Sequence, residues 1–243
     1  MYIAAHRGYS GLYPENTMLA FQKAVEAGAD EIELDVQLSK DGQVVVFHDD
    51  SLERLTGDTR WVWDAPFAEL CKLNVAGKHG DKFGVNPIPS LDEYLGWAKS
   101  SKIVTNIELK NRDFYFEGLE EKTIALIAKY SMEDRVFFSS FNHVSLMACK
   151  KINPRIPCGV LVHSELGNAG YYVSSNSLDF YHPDMKSLDE ETVANCAHYG
   201  IGINIWTVDD MAGLLQAQAW NCRGIITNFP EVCKTWVSSN SRT

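Results

Sequence analysis

The chain has no CxxC pair, no surplus of basic residues and no long apolar run, and each absence removes a class of function. Its six cysteines, at positions 71, 149, 158, 196, 222 and 233, are never closer than nine residues. That spacing excludes a zinc-knuckle centre, and reduced thiols are expected. Asp and Glu outnumber Lys and Arg by 32 to 22, a net charge of −10. Binding to a nucleic-acid backbone depends on basic side chains, so no nucleic-acid partner is expected, and a phosphate on any ligand has to be captured locally. No apolar stretch of about 18 residues is present to span a bilayer. The opening MYIAAHRG lacks the basic start and the unbroken apolar run of a secretory signal. A cytoplasmic protein without stable membrane insertion is expected, and its oligomeric state is not legible.

With 243 residues, 45% of them hydrophobic and 22% charged, the chain has the composition of a folded globular protein and the length of one barrel of about 250 residues. Strand-like runs recur at Tyr2 to Ala5, Ile32 to Leu38, Val44 to Phe47, Ile103 to Leu109, Val136 to Phe138, Gly159 to Val162, Asp179 to Tyr181, Ile201 to Trp206 and Gly224 to Thr227. Helical patterns lie between most of them. Ser90 with Glu93 and Ser187 with Glu190 read as capping boxes at helix starts. Gly28 and Gly200 read as C-terminal caps. The alternation predicts an α/β TIM (β/α)8 barrel as one domain over 1–243. An open doubly wound sheet is the lesser alternative, without a GxGxxG after the first strand to support it. Val44 to Phe47 follows the turn Ser39-Lys40-Asp41-Gly42-Gln43 as a hairpin. Residues 56–89, rich in Gly, Asp, Pro and Trp, form a small insertion after the second strand, over one barrel end. A polar tail from Ser238 to Thr243 is expected to fray.

In Ile32-Glu33-Leu34-Asp35-Val36-Gln37-Leu38, Glu33, Asp35 and Gln37 share one face of the strand and the aliphatic residues take the other. In a barrel the aliphatic face meets the helices and the polar face looks into the lumen. Glu33 and Asp35 then lie about 6–7 Å apart, within reach of one ion. Asn106, Glu108 and Lys110 share a face of the strand Ile103 to Leu109 in the same way. Carboxylates crowded in a barrel mouth require a cation or a proton, and all-oxygen ligands favour Mg²⁺, Ca²⁺ or Mn²⁺ over zinc. The plainer alternative, ordinary exposed strand residues, fits a half-solvated sheet better than a parallel barrel.

His6 and His48 each close a strand-like run, and strand C-terminal ends are where barrel active sites are built. Two imidazoles there can divide the acid and base roles. Arg7 and Lys110 add permanent positive charge for a phosphate, or merely balance the carboxylates. The other histidines, His79, His143, His163, His182 and His198, read as packing or surface residues.

The segments HRGYSGLYPENTMLAF, GADEIELDVQLSKDGQVVVFHDDSLERLTG, NIELK, INIWTVDD and GIITNFPE together resemble the glycerophosphodiester phosphodiesterase family in its short bacterial-type form, from Ile3 to about Pro230. The resemblance implies a TIM barrel with a small insertion and a divalent metal held by Glu33, Asp35 and Glu108. It implies His6 and His48 as the acid–base pair, with Arg7, Asn16, Lys110 and Trp206 around metal and substrate. Family members often carry Tyr-Pro-Gly after the NIELK-type strand. This chain reads Phe116-Glu117-Gly118, which removes a phenol hydroxyl but keeps an aromatic wall at Phe116. The implied reaction is hydrolysis of a glycerophosphodiester to sn-glycerol 3-phosphate and an alcohol such as choline or ethanolamine. Two alternatives stay open: a phospholipase-like barrel acting on intact lipids, with Trp61, Trp63, Phe114, Tyr115 and Phe116 as an apolar rim, and a non-catalytic barrel that binds a phosphorylated ligand.

Overall fold

A computed structural model describes residues 1–111 and 116–240, the side chains of Ser238 and Asn240 excepted. The strand β1 (Tyr2–His6) leads through α1 (Met18–Glu26) to β2 (Glu31–Leu38) and the short β3 (Val44–Val46). After a segment holding α2 (Glu53–Thr56) and α3 (Phe67–Leu70), α4 (Leu91–Ala98) precedes β4 (Val104–Leu109). Alternation then continues through α5 (Leu119–Tyr130), β5 (Val136–Ser140), α6 (His143–Ile152), β6 (Cys158–Val162), α7 (Ala169–Ser175) and β7 (Phe180–Pro183). It closes with α8 (Glu190–His198), β8 (Gly202–Ile205), α9 (Met211–Ala219), β9 (Gly224–Thr227) and α10 (Pro230–Asn240).

Eight strands pair in parallel around a closed barrel, with β1 joined to β9 on one side and to β2 on the other. The expected TIM barrel is thus the fold. β3 is the exception: it pairs antiparallel with β2 at Val36 to Leu38, beyond the point where β1 has ended. The turn between them needs Gly42 at φ 74°, and the Ser39 hydroxyl accepts the Gln43 N–H.

Burial explains the orientation of β2. Ile32, Leu34 and Val36 are fully buried in one cluster with Phe21 and Ala24 of α1 and Leu91, Tyr94 and Leu95 of α4. Truncating such a side chain to alanine costs about 2–5 kcal/mol, so the strand cannot slip by one residue without losing several of them. The same constraint turns Glu33, Asp35 and Gln37 into the lumen. The lower lumen holds a second set of polar groups. Arg223 pairs with Glu31 at 2.7 Å and with the Asn204 carbonyl at 3.0 Å, which turns the Asn204 amide N–H toward His182 Nε2 at 2.8 Å. His182 is fully buried, and burial together with Arg223 pushes its pKa down to about 3. Gly159 makes room for the ring, since a Cβ there would stand 2.4 Å from His182 Nε2.

Ser90 caps α4 by accepting the Glu93 N–H, and Gly28 and Gly200 adopt φ 79° and 69° just past α1 and α8, as expected. The cap of α8 differs from the expectation. Asp189 accepts the Thr192 N–H, while Ser187 ends a 3-10 turn and donates to the Asp184 carbonyl. Leu188 is buried in an extended conformation between them, so the helix starts after it. The segment from β3 to α4 packs on its own small core of Val45, Phe47, Leu52, Leu55, Val62 and Leu70 among others. α10 runs to Asn240, so the start of the expected frayed tail is helical. Residues 241–243, like Phe114 and Tyr115 of the expected rim, lie outside the described residues.

Candidate active site

At the C-terminal ends of the strands a cavity of about 190 Å³ gathers His6, Arg7, Glu33, His48, Glu108 and Lys110, with Trp206 on its wall. Seven of the ten residues singled out from sequence therefore meet in one place. Asp35, level with Glu108 in the register, is fully buried, and one carboxylate oxygen from each of Glu33, Asp35 and Glu108 falls within 4.8 Å of the others. The register explains the convergence, because His6 pairs with Glu33, Glu33 with Asn106 and Asp35 with Glu108 across three neighbouring strands.

Two cations frame the acidic cluster. The Arg7 backbone N–H donates to Glu33 at 2.9 Å, its Nη1 pairs with Glu15 at 2.8 Å, and its Nε lies 3.6 Å from Asp35. Lys110 Nζ donates to Glu108 at 2.9 Å and stands 3.7 Å from Asp35 Oδ1. Burial lowers the Lys110 ammonium pKa, but Glu108 and Asp35 outweigh it and bring it up to about 12. Burial, Asp35 and Glu108 push the Glu33 carboxyl well above its usual range. Burial acts upward on Asp35 too, but His48, Lys110, Arg7 and a hydrogen bond from Asn16 hold it below the carboxylate range. Neighbouring carboxyl groups are thus driven apart, as expected where like charges share a site.

Each histidine is tied back through Nδ1, leaving Nε2 for the cavity. Asn228 donates its amide N–H to Asp209 at 2.5 Å, which turns its carbonyl toward His6 Nδ1 at 2.8 Å. Burial and the adjacent Arg7 push the His6 pKa down to about 4. His48 Nδ1 instead faces a carboxylate, Asp49, at 2.6 Å. Asp49 is held by Arg54 Nε at 2.5 Å, and Arg54 also binds Glu15 at 2.8 Å. Burial raises the Asp49 carboxyl, yet His48 and Arg54 hold it far below its usual value. Gln37 fastens this segment to the barrel by donating to the carbonyls of Phe47 and Asp49 at 2.9 and 2.7 Å. The chain from β1 to α1 turns sharply at Arg7 and Gly8, with φ 53° and 76°. A Cβ on Gly8 would meet the Ala20 backbone at 2.7 Å.

Two of the expected residues, Asn16 and Phe116, are not among the cavity's lining residues. Asn16 is 1% exposed and does not line the cavity; its Nδ2 donates to Asp35 at 2.8 Å, so it orients a carboxylate. Phe116 packs against Trp63 with ring centroids 5.3 Å apart and is not among the cavity's lining residues. Conversely, Phe141 and His163 were not singled out for the site. Both line it, their rings stacked at 4.2 Å, with Trp206 edge-on to each. They come from the loops after β5 and β6, where no periodicity marks a lumen face.

The model of the glycerophosphoryl diester phosphodiesterase family matches residues 6–232. The chain belongs to that family. A glycerophosphodiester phosphodiesterase of Caldanaerobacter subterraneus is 39% identical over 232 residues, covering 94% of each chain. One of Bacillus altitudinis is 37% identical over 232 residues, covering 94% of this chain and 95% of its own. Among solved structures, an Oleispira antarctica phosphodiesterase in complex with the product sn-glycerol-3-phosphate superposes with a TM-score of 0.87, at 28% identity and over 98% and 97% of the two chains. The protein is thus an enzyme of the glycerophosphodiester phosphodiesterase class, and no helix among its described residues is long and apolar enough to cross a membrane.

Proposed function

We propose that the enzyme, a single domain over its 243 residues, works in the cytoplasm. There it hydrolyses soluble glycerophosphodiesters such as glycerophosphocholine and glycerophosphoethanolamine to sn-glycerol 3-phosphate and the alcohol. The carrying observation is the convergence of two imidazoles, each tied back through Nδ1, on the cavity that holds the carboxylate cluster and two cations.

The residues fit a hard divalent cation, Mg²⁺, Ca²⁺ or Mn²⁺. The donor set is all oxygen, and Asp35 Oδ1 is buried without a hydrogen-bond partner among the described residues. Glu33, Asp35 and Glu108 would hold it. When bound, the cation supplies Lewis-acid withdrawal of charge from the phosphoryl oxygens.

The chain's own groups then divide the work. Arg7 and Lys110 neutralise and orient the phosphoryl group. His6, whose Nδ1–H is donated to a neutral amide, presents a free Nε2 lone pair and takes the proton from the glycerol hydroxyl next to the phosphoester. His48, backed by the Asp49 carboxylate, carries a proton and gives it to the leaving alcohol oxygen. The new P–O bond forms as the old one breaks, leaving a cyclic phosphate. Water opens the cycle with the two histidines in exchanged roles. Replacing either histidine by alanine is expected to lower glycerol 3-phosphate release by about 10²–10⁴-fold. Near-normal turnover in either variant, followed by a coupled dehydrogenase assay on glycerophosphocholine, contradicts the reading.

A further inference from the structure

The floor of the cavity carries polar atoms that no described residue satisfies. Asn106 and Ser139 are each 1% exposed and both line the cavity. Neither the amide Nδ2 nor Oδ1 of Asn106 has a hydrogen-bond partner among the described residues, and neither does the Ser139 hydroxyl. A buried polar group left unpaired keeps the full cost of its desolvation. Three such atoms in one patch therefore call for a ligand. Asn106 also borders a gap beneath the site, between Phe137, His182 and Asn204, but that gap is too tight to admit a water. Its partner has to come from the cavity above.

Chemistry narrows that partner to a neutral hydroxyl. The register sets Asn106 beside Glu33 and Ser139 beside Glu108, so an anion on the floor would meet carboxylates and the Asn106 carbonyl. A cation would leave the Nδ2 donor unmatched. A methylene chain would leave all three atoms unpaired. A hydroxyl donates to Oδ1 or Ser139 and accepts from Nδ2 or Ser139. Depth selects which hydroxyl. Along β4 the lumen positions run Asn106, Glu108, Lys110 toward the mouth, about 6–7 Å per step. The floor thus lies a step or more below the level of Lys110, and Leu161 and Ile226 offer apolar walls for the carbon skeleton.

Resting on the function proposed above, we infer that Asn106 and Ser139 bind the terminal hydroxyl of the substrate's glycerol unit, the one farthest from phosphorus. This floor is a specificity determinant: it selects diesters whose glycerol carries no acyl chain, and it rejects lysolipids.

The test compares glycerophosphocholine with its analogue in which the terminal CH₂OH is CH₃, leaving the attacking hydroxyl in place. The wild-type kcat/KM is expected to fall about 10–100-fold on the analogue. In Ser139→Ala and Asn106→Leu the parent substrate loses activity and the ratio between the two substrates falls toward one, the signature of a direct contact in a double-mutant cycle. Equal wild-type kcat/KM on both substrates, an unchanged ratio in both variants, or a 1-acyl substrate turned over as fast as glycerophosphocholine overturns the inference. The wild-type comparison decides the matter even where a variant fails to fold. A wild-type enzyme inert toward glycerophosphocholine contradicts the proposed function itself, which separates the two failures.

Discussion

Replacing Asp49 by asparagine tests the division of labour between the two histidines. His48 Nδ1 lies 2.6 Å from Asp49 Oδ1, and Arg54 holds the far oxygen at 2.5 Å. Asparagine keeps the shape but exchanges a charged acceptor for a neutral one. Hydrogen bonds to charged groups contribute about 1.5–3 kcal/mol, so losing this one from the imidazolium slows the step by roughly 10–100-fold. Partial exposure, 29% for His48 and 24% for Asp49, screens the pair and places the expected loss nearer 10-fold. Asp49 is not among the cavity's lining residues, so the loss is expected in kcat, with KM within about twofold. Arg54 keeps its second partner, Glu15, so the loop stays anchored. Steady-state release of glycerol 3-phosphate, with circular dichroism as a check on folding, reads the outcome. An unchanged kcat, or a loss confined to KM, refutes the assignment of Asp49 as the group that supports His48.

Three further outcomes are expected. Glu33→Gln and Asp35→Asn each weaken binding of Mg²⁺ or Ca²⁺ in a calorimetric titration and abolish turnover while the fold survives; full metal affinity in both contradicts the ligand set. His182 has a pKa of about 3 in the folded chain against 6.5 in its ordinary state, so the unfolded chain binds more protons between those values. Stability therefore falls as pH drops below 6.5, with up to about 1.4 kcal/mol per pH unit from this group. Denaturant midpoints of His182→Gln should show a shallower acid slope than wild type, and parallel slopes would count against it. Gly159→Ala drives a methyl into the His182 ring and is expected to lower the melting temperature by several degrees, whereas an unaltered melt means the ring has room to move.

What could be read in advance follows physical period and local chemistry. The alternation in β2 placed Glu33, Asp35 and Gln37 in the lumen because burying Ile32, Leu34 and Val36 leaves no other orientation. His6 ends β1 as expected, whereas β3 stops at Val46 and runs antiparallel to β2, so His48 enters the cavity from the segment after β3 and not from the C-terminal end of a barrel strand. Contacts set by tertiary closure were not legible. Asn228, 222 positions from His6, and Asp209 behind it fix an imidazole that sequence could only mark as present. Phe141 and His163 reach the cavity from loops without periodicity, and Asn16 turned out to orient Asp35 rather than face the cavity. At α8 the expected Ser187 cap gave way to Asp189, because Leu188 is buried in an extended conformation and the helix starts after it.

Phosphorus NMR of the purified protein with glycerophosphocholine tests the central claim most directly, run with Mg²⁺ or Ca²⁺ and again with excess EDTA. The account predicts a glycerol 3-phosphate resonance that grows with either cation and stops with the chelator. Turnover indifferent to EDTA, or no product with either cation, contradicts it.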